Sequence, residues 1–455
     1  MTTATPEELQ RRRLLEAPVP RLVARLAAPT VASMLVGTLY NAGDAWFVSQ
    51  LGTSPSGAIG IVFALLAVLQ AFGFLFGHGA GSNIARRLGA GDIPGARAYA
   101  ATGFWLSLVF AAVVSAFGLL FLAPLACAFG STPTILPYAC SYLRWILLAG
   151  PFFVASYVLN NILRYEGRAS RAMLGLLAGS ILNLFLDPLF IFVFGWGVSG
   201  AGAATAVSQT VSFFLLFAMF RPGIAASRLH PRHLSFRPAV VRSILVTGFP
   251  NLLRNALNAL GPVILNHQAA VWGDHAIAAM SIVGRLSFLV IAVGVGIGQG
   301  MQPVAAFNWG ANRPDRVRHA LRFTLAAGFA ASLLLALPLF LAAPAIVAAF
   351  RDDPAVVAIG ATALRLQAAV IAFNHPAVCT NMLFQSLGFA FRSSLLSVFR
   401  NGLFFIPLIV LLPRLFGLPG LESAQPAADV LSFLASIPFL VHWYRTSPRL
   451  PFPSP

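Results

Sequence analysis

A chain of 455 residues that is 58% hydrophobic and only 9% charged lacks the polar surface of a soluble domain, where charge alone takes roughly 25%. Its net charge of +17 would suit a nucleic-acid partner. All 30 basic residues are arginines gathered mostly at the termini and between apolar blocks, which excludes that reading.

In chain order, residues 1–19 come first, with "ELQRRRLLE" ending at Glu16. They lack the short apolar core and cleavage site of a signal peptide and read as a surface-lying cytoplasmic helix. Twelve apolar blocks follow, at 22–48, 57–83, 98–122, 136–160, 172–194, 199–220, 243–268, 276–305, 320–345, 355–380, 393–413 and 421–444. Each is long enough to cross about 30 Å of hydrocarbon as a helix. Period-two alternation is absent, so a membrane barrel is not expected. The stretch 226–240, with "RLHPRHLSFRP", reads as a polar linker between an N-lobe at 20–225 and a C-lobe at 241–445. The tail 446–455 is expected to be unstructured.

Twenty-four arginines lie at the termini or in the even-numbered connections, Arg392 and Arg400 among them; the odd-numbered ones hold only Arg351 and Arg414. That asymmetry puts both termini in the cytoplasm. Only Arg144, Arg254, Arg285 and Arg365 are left inside the spans.

"GHGAGSNIARRLGAGD" (Gly77–Asp92) and "GQGMQPVAAFNWGANR" (Gly298–Arg313) share a glycine skeleton at an offset of 221. The same gapless offset brings Pro29 onto Pro250, Gly52 onto Gly273, Arg97 onto Arg318, Arg144 onto Arg365 and Gly167 onto Gly388. The chain is therefore two copies of a six-helix unit. Six is even, so the two bundles are expected to be related by a pseudo-two-fold axis along the membrane normal, as in parallel-repeat transporters. Each glycine stretch is expected to make a sharp turn at the cytoplasmic edge, between the second and third helices of its copy. Neither follows a strand or fits GxxxxGK[ST], which argues against a phosphate cradle.

"GDAWFVSQLG" (Gly43–Gly52), "RRLGAGD" (Arg86–Asp92), "LRYEGRASRAM" (Leu163–Met173), "LNLFLDPLFIF" (Leu182–Phe192) and "GAGAATAVSQ" (Gly200–Gln209) resemble the multidrug and toxic compound extrusion (MATE) family. The resemblance covers essentially the whole chain. It implies an all-α polytopic protein of twelve transmembrane helices. It also implies a secondary antiporter that expels organic, often cationic or amphipathic compounds in exchange for H+ or Na+.

Intramembrane carboxylates are the first candidates for coupling, because each costs about 2.5–3.5 kcal/mol at mid-helix on insertion scales. Asp44 and Asp187 lie inside apolar segments, and Glu422 and Asp429 lie early in the last one. Helix 1 runs outward with Asp44 near its end; Asp187 lies about 22 Å beyond Ala172 along helix 5, also outward. Asn183 precedes Asp187 by four residues and shares its helix face. Thr205 and Tyr142 enter helices 6 and 4 from the outside, so all five reach one depth. The resemblance marks these positions as the family's N-lobe cation site and Pro29 as the proline that bends helix 1. Two nearby carboxylates in low dielectric resist simultaneous ionisation, so the pair favours holding a proton. The structural alternative is that the acids bond to backbone or to Arg144. Sodium-coupled members of the family would call for carboxylates in helices 7 and 10. Here helix 7 offers Arg254, Asn255 and Asn258 and helix 10 offers Asn374. H+ is thus favoured over Na+, although Asp44, Asn183 and Thr205 also offer oxygens to Na+.

Gln70, Asn258, Gln299, Gln302, Asn374 and Asn381 are candidate neutral donors of a substrate cavity. Arg254 and Arg285 are expected to pair with carbonyls or with Asp429. His267, His275 and His375 show no metal-ligand spacing, and "RDDP" (Arg351–Pro354) reads as a helix cap. Cys127, Cys140 and Cys379 form no CxxC pair and read as buried, inert thiols. No catalytic residue, metal or cofactor is expected beyond the coupling ion. The expected partners are small organic compounds and membrane lipid, not nucleic acid, and the expected state is a monomer in the bacterial inner membrane. The main alternative is a lipid-linked oligosaccharide flippase of a related two-bundle fold; a membrane-embedded enzyme would need a His/Asp or metal constellation that is not seen.

Overall fold

The computed structural model describes residues 6–221 and 225–447. The first five residues and the tail from 448 on lie outside it. The chain runs α1 (Pro6–Glu16), α2 (Val19–Ser49), α3 (Thr53–Ala90), α4 (Ile93–Leu120), α5 (Leu122–Ala128), α6 (Leu136–Tyr165), α7 (Ala169–Pro188) and α8 (Gly197–Ala218). It continues with α9 (Pro238–Ala269), α10 (Asp274–Gly310), α11 (Pro314–Leu341), α12 (Ala343–Phe350), α13 (Pro354–Leu387), α14 (Ala390–Val398), α15 (Ile406–Phe416) and α16 (Leu418–Thr446). π-helical turns follow α7 at Leu189–Val193 and join α14 to α15 at Phe399–Phe405. Among the described residues every regular element is helical, with no strand, as lipid demands of backbone that has no water to bond.

Among the described residues, eleven helical segments are long and apolar enough to cross a membrane. The remaining long helix, α9, carries Arg242, Asn251, Arg254, Asn255 and Asn258, which lower its hydropathy below that of the others. Arg400 sits inside the Ala390–Phe416 span, in the Phe399–Phe405 turn, rather than in the connection before it. It joins the arginines of the spans. Cys379 is buried, but Cys127 is exposed, because α5 is a short helix that buries only Ala126.

The internal repeat is visible in the backbone. Positive φ recurs at positions 221 apart: Gly52 and Gly273, Gly91 and Asn312, Gly167 and Gly388. Gly91 caps α3 in the left-handed region at φ 84°, where its amide bonds to the Leu88 carbonyl. Asn312 tolerates the same region at φ 58° after α10.

Packing divides the described residues into one unit of 6–17 and 32–252 and another of 18–31 and 253–447. The expected boundaries at 20 and 241 thus differ from where the packing changes. The first half of α2 belongs to the second unit, and the first half of α9 to the first. The divisions after 31 and after 252 are again 221 apart, and each follows a proline, Pro29 or Pro250, by two residues.

The glycine stretches are not loops. Gly77, Gly79 and Gly81 lie inside α3, and Gly298 and Gly300 inside α10. A methyl group on Gly79 would collide with the carbonyl of Ile244 on α9, and one on Gly300 would sit 2.6 Å from the Ala27 nitrogen on α2. The repeated skeleton is the flat face on which the first half of a neighbouring helix lies, backbone against backbone. The turn itself begins only at Gly91 and Ala311.

In the first unit, the 226–240 segment is tied down. Glu166 accepts the backbone N–H groups of Ala226 and Ser227 at 3.0 and 2.8 Å, and the Trp105 indole donates to the Leu229 carbonyl at 2.9 Å. Gln10 of α1 donates to the carbonyls of Glu166 and Gly167.

Candidate functional site

The polar centre of the first unit is a chain of five side chains from α2, α6, α7 and α8. The Tyr142 hydroxyl donates to Asp44 at 3.1–3.2 Å from either carboxylate oxygen, and lies 3.4 Å from the Thr205 hydroxyl. The Asn183 amide donates to Asp187 at 3.2 Å and to Thr205 at 3.3 Å, so Thr205 joins the two acids. All five are buried, none more than 2% exposed. Arg144 is exposed on α6, and the carboxylates' bonds run instead to the neutral Tyr142 and Asn183. One oxygen of Asp187 and the amide oxygen of Asn183 are buried with no hydrogen-bond partner.

Local sequence explains why these helices meet. Gly43 precedes Asp44, and a methyl group there would press on Leu184 of α7 at 3.1 Å. Gly202 lies one turn before Thr205, and a methyl group there would come within 2.9 Å of the Tyr142 ring. Both glycines let a side chain of the facing helix pack close against their own helix. Pro188 directly follows Asp187, and the helix widens into the Leu189–Val193 π turn at that point.

The second unit does not repeat this centre. One repeat length on from Asp44, Tyr142, Asn183, Asp187 and Thr205 stand Leu265, Ala363, Phe404, Leu408 and Pro426. The first four belong to an apolar core cluster. About one helical turn away lies a different polar group. Asp429 on α16, fully buried, accepts from Arg400 Nε at 2.6 Å, Gln367 at 2.7 Å, Asn374 at 3.0 Å and Gln425 at 3.4 Å. The partner of Asp429 is thus Arg400 rather than Arg254 or Arg285; Arg254 donates to Asn381 instead. Glu422 is buried two turns earlier on α16.

The six candidate cavity residues fall in both units. Gln70 in the first unit donates to the Tyr157 hydroxyl. In the second, Asn258 accepts from Asn401, Gln302 donates to Gln385, Asn381 donates to Ser397 and the Ser393 carbonyl, and Asn374 serves Asp429. Gln299 is buried on α10. Asp353 caps α13 by accepting from Ala355 and Val356.

The MatE family model matches the chain twice, over residues 29–189 and 250–411, the second copy starting 221 positions after the first. The chain belongs to the MatE family. MATE proteins are transporters, so the chain is a multi-pass membrane transporter rather than an enzyme. It is 27% identical over 438 residues to "Multidrug export protein MepA" of Staphylococcus haemolyticus, covering 94% of this chain and 95% of that one. A MATE crystal structure in the straight conformation superposes with a TM-score of 0.89 at 27% identity, covering 98% and 99% of the two chains. One in the bent conformation gives 0.88 at 26%, covering 98% and 100%.

The arginine distribution along the chain does not reveal the Asp429 group, because Arg400 lies within the 393–413 block rather than in the connection before it. The repeat itself held the missing signal. At the offset of 221, Arg400 and Asp429 fall on Gly179 and Ser208, which also touch: a methyl group on Gly179 would lie 3.1 Å from the Ser208 carbonyl oxygen.

Proposed function

We propose that this MATE transporter exports organic, cationic or amphipathic compounds by antiport, driven by inward movement of protons in preference to Na+. The observation that carries this reading is a pair of buried carboxylates whose hydrogen-bond partners are all neutral. Two uncompensated negative charges in a lipid-embedded bundle are costly, so the cluster favours taking up a positive charge and giving it back when its surroundings change. The name of the staphylococcal relative, a multidrug export protein, supports the cargo class.

The second unit supports protons: α9 and α13, where sodium-coupled members of the family would call for carboxylates, carry neither Asp nor Glu. In the cycle, protonation of the Asp44/Asp187 cluster from outside rearranges α2 about Pro29 and ejects the cargo; return to the inward-open state releases the proton. The existence of MATE structures in bent and straight conformations supports such a rearrangement. The arginine distribution supports cytoplasmic termini, and the bacterial relative supports the plasma membrane. One chain carries both halves and all five coupling side chains, which supports action as a monomer.

The test is drug-stimulated proton flux in proteoliposomes. Asp44→Asn is expected to abolish it, and full flux in that variant would contradict the reading.

A further inference from the structure

The second unit contains its own buried carboxylate, and the coupling reading leaves it unused. Asp429 is as buried as Asp187 and sits on α16, the repeat counterpart of the helix that carries Thr205. Its surroundings differ from those of Asp44 and Asp187 in one respect. A guanidinium lies against it, with Arg400 Nε 2.6 Å from the carboxylate and the Arg400 side chain 21% exposed.

We propose that Arg400 is a covalently attached counter-cation that occupies the place of a coupling ion at Asp429, so that ion coupling is confined to the first unit. The inference rests on the coupling role of Asp44 and Asp187 for its meaning in transport. It rests on the geometry of the second unit for its substance. Gln367, Asn374 and Gln425 complete the shell around Asp429 with neutral amides. Without Arg400 that shell would be a carboxylate held only by neutral donors, like the centre of the first unit. The other titratable groups on the packed elements turn elsewhere. The His375 Nε2 lies 2.9 Å from the Thr324 carbonyl, Arg392 stacks over Phe384 and Phe389, and Arg365 is exposed. Glu422 lies two turns away along α16.

The repeat gives the same conclusion. At the positions equivalent to Arg400 and Asp429, the first unit has Gly179 and Ser208 in close contact, with neither charge present. The two charges are thus absent together from the first unit, as expected of two charges that are tolerated in a bundle only together.

The experiment is a melting curve of the purified protein in detergent, in an Asp44→Asn/Asp187→Asn background that removes the cluster of the first unit. With Arg400 present, neither acidification from about pH 8 to pH 5 nor added Na+ at pH 8 is expected to shift the melting temperature through this site. Arg400→Met in that background is expected to gain a rise of about 3 °C or more with one of the two ions, as binding to the folded state requires. Adding Asp429→Asn is expected to abolish the gain. A folded Arg400→Met protein that responds to neither ion, or a gain that survives Asp429→Asn, overturns the proposal. If Arg400→Met alone does not fold, the account requires the Arg400→Met/Asp429→Asn pair to fold, and failure of both also overturns it. The readout involves no transport, so its failure is distinguishable from loss of drug-stimulated flux in Asp44→Asn.

Discussion

Asp353 is a single residue whose contribution follows directly from its contacts. The Val356 amide foremost, then that of Ala355, holds the Asp353 carboxyl below the usual carboxylate range, with His275 and Arg351 adding to the effect against the opposing cost of desolvation. A carboxyl whose folded-state pKa is depressed stabilises fully above its unfolded value, near pH 4, and loses that contribution as pH falls through the lower folded value. The protection of the Ala355 and Val356 amides, taken relative to the intrinsic exchange rate at each pH, should therefore hold above about pH 4 and fall below it, and Asp353→Ala should show low protection throughout. Much at this scale was legible in the sequence. A carboxylate inside an apolar run is conspicuous, and Asn183 follows from Asp187 by helical spacing alone. The Arg400–Asp429 bond was not, because its partners lie 29 residues apart on two helices and only packing joins them.

At the scale of the element, a glycine-rich segment has two physical readings, a turn or a close helix contact, and composition does not separate them. Gly91 takes the first, and Gly79 and Gly300 the second. That ambiguity is why the repeat was legible while its purpose was not. Glycine at 79 leaves no space between α3 and the Ile244 backbone, so Gly79→Val should cost at least about 1–3 kcal/mol and lower the melting temperature of the purified protein. Gly300→Val should do the same against Ala27. Valine at the exposed Gly60, where a methyl group meets nothing within 4 Å, is the control and should leave stability unchanged.

At the scale of the whole molecule, one offset of 221 governs the family match, the positive-φ positions and the points at which α2 and α9 pass from one unit to the other. The two halves nevertheless differ in chemistry: one holds two acids with neutral partners, the other a single acid with an arginine. In the proposed function, that asymmetry makes the first unit the seat of coupling. The most direct measurement is export of a cationic dye from efflux-deficient bacteria, with the pH gradient collapsed and Na+ replaced in separate experiments. The account predicts that export stops when the pH gradient is lost and continues when Na+ is replaced; export that survives the loss of both gradients would contradict it.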